Sequence, residues 1–130
     1  MIGGSMTFAG EMKAARETLE RLGYEAYVPL DTEQVSKDAS KKTDMAFLKE
    51  LGVGRGDAEL VARSDAFLIL NYEKYGTKGY IGPGAYRDLS VAWWLKKRSF
   101  SFFLTTRIRT TINTRCSASS RSSWKESLKI

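Results

Sequence analysis

The sequence predicts a parallel, doubly wound α/β sheet, and three observations carry that fold class. An apolar run of strand length, Asp65-Ala-Phe-Leu-Ile-Leu-Asn71, ends in polar residues. A glycine-rich loop, Gly79-Tyr-Ile-Gly82, follows it and opens a helix at Pro83, a residue suited to the first helical position. Along the chain, strand-like and helix-like patterns alternate β-α-β-α-β-α, the order that gives parallel strands with helices on both faces.

Each element has a local cause. Met1-Ile2 is a strand stub, truncated by Gly3-Gly4-Ser5-Met6. Phe8, Met12, Ala15, Leu19 and Leu22 fall within about 80° of helical arc, and Gly23 suits the C-terminal cap, so residues 8–22 read as an amphipathic helix. Residues 24–28 read as a strand stopped by Pro29. The polar, lysine-rich stretch 31–44 reads as a surface loop. Short helices follow at 44–51 and 57–63, with Gly52, Gly54 and Gly56 between them. Strand 65–71, loop 72–82 and helix 83–97 come next, and Phe100, Phe102, Phe103 and Leu104 suggest a last strand over 99–104. The first strand belongs at the centre of such a sheet, because the helix after it returns to the sheet. Only two residues of it are present.

The chain of 130 residues divides into one domain, residues 1–104, and a basic Ser/Thr-rich tail, residues 105–130. Residues 1–97 hold 14 Lys/Arg and 14 Asp/Glu, so the net charge of +6 arises beyond them, where 7 basic residues face Glu126 alone. Two readings stand for the tail. One is a disordered basic extension. The other is translation out of frame: with permissible codons, a one-base slip turns Lys97-Arg-Ser-Phe-Ser into Ala-Ile-Phe-Phe, a buried strand. Cys116 is a single cysteine and the chain has no histidine, which excludes an internal disulfide, Cys/His metal sites and histidine catalysis. No run approaches the ~18 apolar residues of a membrane span. The N-terminus lacks the build of a signal peptide, so the cytoplasm is the expected location.

Asp88 is the residue most suggestive of chemistry. Counting 100° per residue, the apolar arc of the last helix runs Leu95, Ala92, Ala85, Leu89, Trp93, and Asp88 falls inside it. A carboxylate aimed at a core must be paired, hydrogen-bonded or used. Gly3, Gly4 and Ser5 lie where the first strand meets the first helix, and they read either as a tight turn or as a cradle for phosphate or ribose oxygens. Gly82 and Gly84 flank the N-terminus of the last helix, where backbone N–H groups meet anions. Asn71, Tyr72 and Glu73 close the third strand at the ligand end of such a sheet. Lys74 and Lys78 are solvated cations within reach of an anionic ligand. Asp88, Gly3, Gly4, Ser5 and Asn71 are therefore expected to converge on one pocket.

With these residues placed, Gly3-Gly-Ser-Met6, the strand 65–71 and Gly79-Tyr-Ile-Gly82 through Asp88 resemble the nucleoside 2-deoxyribosyltransferase-like proteins over residues 1–97. The resemblance implies a flavodoxin-like, five-stranded parallel sheet. It also implies cleavage or exchange of the N-glycosidic bond of deoxynucleosides or their monophosphates, without metal or redox cofactor. A partner subunit often completes the site in that family, so a homo-oligomer is implied too. The family's helix glutamate falls at Asp88, where a buried carboxylate stabilises the oxocarbenium centre at C1′ or attacks it. Glu73 is the candidate proton donor to the leaving base. The chain departs from the family pattern in its shorter carboxylate, in Arg87 and Ser90 where small or apolar residues are usual, and in its tail. A ~1 Å misplacement of a reacting group can cost on the order of 10²-fold. Two other readings compete with the enzyme: a nucleotide-binding module without catalysis, and a weaker one, nucleic-acid contact by the tail.

Overall fold

The computed structural model describes residues 1–102, a mixed α/β domain around a three-stranded parallel sheet. Strands β1 (Ile2–Gly4), β2 (Ala66–Leu70) and β3 (Arg98–Phe102) lie in that order, with Ile2 opposite Leu68, Gly4 opposite Leu70 and Ala66 opposite Arg98. The helices are α1 (Ala9–Arg21), α2 (Thr32–Lys37), α3 (Met45–Leu51), α4 (Val53–Arg63) and α5 (Pro83–Trp94). Residues 103 and 104 of the expected last strand, and the tail 105–130, lie outside the described residues.

Alternation along β2 divides the core in two. Leu70 packs with Ile2, Met12, Ala26, Val28 and Val35 on the α1 side. Phe67 and Ile69 pack with Val61, Ala85 and Ala92 on the side of α4 and α5. Successive strand residues point to opposite faces, so a five-residue strand serves both layers. The parallel direction and the helices on both faces match the sequence expectation.

Four expectations are corrected. Residues 24–28 form no ladder: Ala26 and Val28 are buried, but a single backbone bond, Ile2 N–H to the Tyr27 carbonyl at 2.7 Å, ties the segment to β1. The three-residue β1 offers few partners, and Pro29 brings no N–H. Residues 31–44 are not a loop. Thr32 and Val35, three apart, are buried on α2, and the Asp38 carboxylate caps the 3₁₀ turn Ala39–Thr43 by accepting from Ser40 N–H at 3.0 Å. Helix α4 starts at Val53 and runs through Gly54 and Gly56, whose low helix propensity hides it from sequence reading. A Cβ on Gly56 would lie 2.3 Å from Leu30 Cδ1, so a larger residue there would require the Leu30 side chain to shift.

The fourth correction concerns α5. It begins at Pro83 as expected but ends at Trp94, and its buried face is Ala85, Asp88 and Ala92. Trp93 is 62% and Leu95 41% exposed, so both fall off the expected apolar arc, and Trp94 is 76% exposed on the polar side. The end is a Schellman turn, in which Lys96 N–H reaches the Trp93 carbonyl (3.0 Å) and Lys97 N–H the Ala92 carbonyl (2.8 Å). Lys96 takes the left-handed position with φ of 54°. Leu22 likewise sits at the C-terminal cap of α1 and is exposed rather than part of its buried stripe.

Candidate functional site

Asp88 is 3% exposed, which bears out its place inside the buried arc of α5. Its partner is the neighbouring residue. Arg87 donates to Asp88 Oδ1 from Nε (2.9 Å) and from a terminal nitrogen (2.7 Å), and that same nitrogen donates to Asp57 Oδ2 at 3.2 Å. Asp57 is also buried, and its Oδ1 accepts from Leu30 N–H at 3.0 Å. One guanidinium thus joins carboxylates carried by two different helices.

Asp31, buried just before α2, completes the group electrostatically. The Arg87 charge lowers its proton affinity and the Asp88 charge raises it. Burial is the largest influence on all three acids and pushes each above its ordinary value. Asp57 is pushed up to about 6, against the pull of the Leu30 N–H and with a push from Asp88. Desolvation of three acids around one cation favours keeping a proton among them. Asp57 and Asp88, joined by one guanidinium, are both pushed towards the protonated form by burial, Asp57 to about 6.

The glycine pair has a packing role. A Cβ on Gly3 would lie 2.5 Å from Phe67 Cζ, and one on Gly4 would lie 2.9 Å from the Leu70 carbonyl oxygen. Ser5 accepts from Thr7 N–H at 3.4 Å and receives the Lys74 ammonium on its hydroxyl at 2.8 Å. Lys74 also lies over the Tyr75 and Tyr80 rings, so it ties loop 71–82 to the first turn rather than standing free in solvent. Gly82 is the buried N-cap of α5 in extended conformation, whereas Gly84 is exposed, and a Cβ on it would meet nothing within 4 Å. Asn71 is buried and its Oδ1 has no hydrogen-bond partner. Glu73 is exposed and makes no hydrogen bond or ion pair among the described residues.

The structure therefore sets the named residues in two groups. Asp88 stands with Asp57, Asp31 and Arg87. Ser5 stands with Lys74, beside the carboxyl ends of β1 and β2. No hydrogen bond or ion pair among the described residues joins Asp88 to Gly3, Gly4 or Ser5. Sequence reasoning passed over Asp57 and Asp31. Asp57 carries the same signal as Asp88, a carboxylate four residues before a buried apolar residue, Val61 for Asp57 and Ala92 for Asp88, but placing the helix start at 57 put it at the first helical position. Asp31 had no comparable signal, because its stretch read as a loop.

Among the described residues no group of Asp, Glu or Cys is placed to hold a metal ion, and no helix is long and apolar enough to cross a membrane. A wide-mouthed cleft of about 380 Å³ lies elsewhere, between α1 and β2, lined by Ala15, Leu19, Leu68, Leu70 and Tyr72 among others. It is apolar and on the opposite face of the sheet from Asp88. Compared with known proteins, the chain matches no family model, no curated protein and no solved structure.

Proposed function

We propose that this chain cleaves or transfers the N-glycosidic bond of a nucleoside or nucleotide, with Asp88 as the carboxylate facing C1′. The observation that carries the reading is the shared guanidinium. It holds one buried acid, Asp88, at 2.7 Å and a second, Asp57, at 3.2 Å, and the second has its proton affinity raised to about 6. In the reaction the C1′–N bond breaks and its electron pair leaves with the base. A protonated Asp57 gives its proton to that base, and ionised Asp88 stabilises or captures the C1′ cation. Water or a second base then attacks C1′, and Asp57 is reprotonated. Asp57 suits the acid role better than exposed Glu73, because burial tunes its pKa. The three parallel strands with helices on both faces are consistent with the inner part of a flavodoxin-like sheet. The reading also carries a small-molecule substrate, no cofactor or metal, a cytoplasmic location and a homo-oligomer.

A specific observation favours a second reading, a nucleotide-binding module without catalysis. Arg87 donates twice to Asp88 Oδ1, and aspartate is shorter than the glutamate of the family the sequence resembles. Free-base release from a panel of deoxynucleosides and their 5′-monophosphates, followed by chromatography, tests both. The enzyme reading expects release by the wild-type chain that Asp88→Asn abolishes, and a decline in rate as pH rises through about 6, where Asp57 loses its proton. The binding reading expects release only in Asp88→Glu. Release that Asp88→Asn leaves intact overturns the mechanism.

A further inference from the structure

We propose that the open flank of α1 and the apolar cleft beside it are the surface through which two copies of this chain pair, with their α1 helices antiparallel. The pairing supplies a contact for the homo-oligomer of the reading above and is independent of the chemistry at Asp88.

Helix α1 has two flanks. On one, Lys13 and Arg16 pair with Glu33 of α2, each at 2.9 Å. The other flank, Glu11, Ala14 and Thr18, is exposed and lines the cleft of about 380 Å³, across from Leu68, Leu70 and Tyr72. Counting 100° per residue, Leu22 falls about 20° from Glu11, in the middle of that flank and one turn beyond Thr18. Leu22 is 67% exposed. One surface thus carries both an apolar cleft and a large apolar side chain with nothing over it.

Charge selects a second copy as the occupant. A twofold axis sets one surface against itself, so each feature must find its complement on the same patch. Glu11 and Arg21 are the only charged residues of α1 within about 80° of Glu11, and they have opposite signs. They lie in the first and last turns of α1, ten residues and about 15 Å apart, too far to pair within one helix. Glu11 has no hydrogen bond or ion pair among the described residues, and Arg21 donates to the uncharged Thr18 hydroxyl at 3.2 Å. With two α1 helices antiparallel about an axis level with residue 16, each Glu11 faces Arg21 of the second copy. Ala14 then comes opposite Thr18, and these small side chains let the helices approach closely. Leu22 of the second copy arrives level with Gly10, where an added Cβ would meet nothing within 4 Å. That is the Tyr72 end of the cleft, because Phe8, just before α1, packs its ring on Tyr72 at 5.1 Å. A small apolar ligand fits this cleft less well, since small-molecule sites bury about 70–90% of the ligand and this one has a wide mouth.

Analytical ultracentrifugation of the full chain over a wide range of concentrations tests the pairing, and a reversible dimer is expected. Leu22→Ser and Ala14→Arg, both at exposed positions, should each weaken it at least about tenfold, the effect of losing a central contact. Glu11→Arg should weaken it in the same way. Glu11→Arg combined with Arg21→Glu should restore it, because the exchanged charges meet only across the axis. Reversed charges at the ends of α1 oppose its dipole, so circular dichroism checks that each variant is folded, and Leu22→Ser and Ala14→Arg decide the matter without touching those charges. A monomer at every concentration overturns the pairing. So does a dimer unmoved by both Leu22→Ser and Ala14→Arg, or a folded double exchange that stays as weak as Glu11→Arg. Base release by the wild-type chain, measured alongside, keeps the two readings apart. Release by a monomer overturns the pairing alone, whereas a dimer that releases no base removes the glycosidic chemistry and leaves the pairing.

Discussion

Gly3 illustrates how one residue can be read for a ligand and yet be required by a neighbour. The space a Cβ would need is filled by the Phe67 ring, which is fully buried and packed against Val61 and Ala85. Overpacking a rigid core costs about 1–3 kcal/mol. Gly3→Ala should therefore lower stability by that amount in urea denaturation, with or without ligand. A variant of unchanged stability that loses nucleotide binding would give the glycine back to the ligand. Asp88 shows the converse. Its burial was legible from helical periodicity, because a 100° step fixes which side of α5 it shares with Ala85 and Ala92. Its partner was not legible as such: Arg87 stands next to it in sequence, and the arc of one helix says nothing about a guanidinium that reaches a second helix.

Among the elements, α5 is the one whose start was clear and whose end was not. Gly82 and Pro83 announce the start by their backbone preferences. No glycine marks the end, where Lys96 occupies the left-handed position that glycine takes at low cost. Lys96→Gly should thus stabilise the chain by about 1 kcal/mol, read as a rise in thermal midpoint. A lowered midpoint would mean that the lysine side chain contributes more at that turn than its backbone costs. Helices α3 and α4 divide in the same manner. Asp44 caps α3 by accepting from Phe47 N–H at 3.0 Å, a signal written in the sequence, whereas two glycines conceal the first turn of α4. Those glycines face the side-chain ends of Leu30 and Arg87, a contact set by tertiary packing and not by local sequence.

For the whole molecule, the buried acids make stability depend on pH in an unusual direction. The folded pKa of Asp57 is raised to about 6 from 3.8, so the folded state holds a proton that the unfolded chain has released. Stability from this group is fully present below pH 3.8 and is lost as pH rises through about 6. Asp31 and Asp88 act in the same sense, while Glu33, Asp38 and Asp44, whose pKa values are lowered by their hydrogen bonds, oppose it. The difference between wild type and Asp57→Asn isolates the effect. Between about pH 4 and 6, wild type should gain stability relative to the variant as pH falls, measured by urea unfolding at each pH. Parallel curves across that window would show that Asp57 is ionised throughout.

The sequence by itself determined the parallel α/β class, strand β2, the first turn of α5 and the burial of Asp88. Each of these rests on a period or a backbone preference confined to a few neighbouring residues. Only the tertiary structure decided that 24–28 is tied to β1 by one bond instead of a ladder, and that the glycine pair makes room for Phe67 and Leu70. It alone placed Asp57, Asp31 and Arg87 around Asp88. Those outcomes depend on how far apart two helices lie and how each is rotated about its axis. Side chains distant in sequence set those quantities together when the core closes, and no single segment carries them.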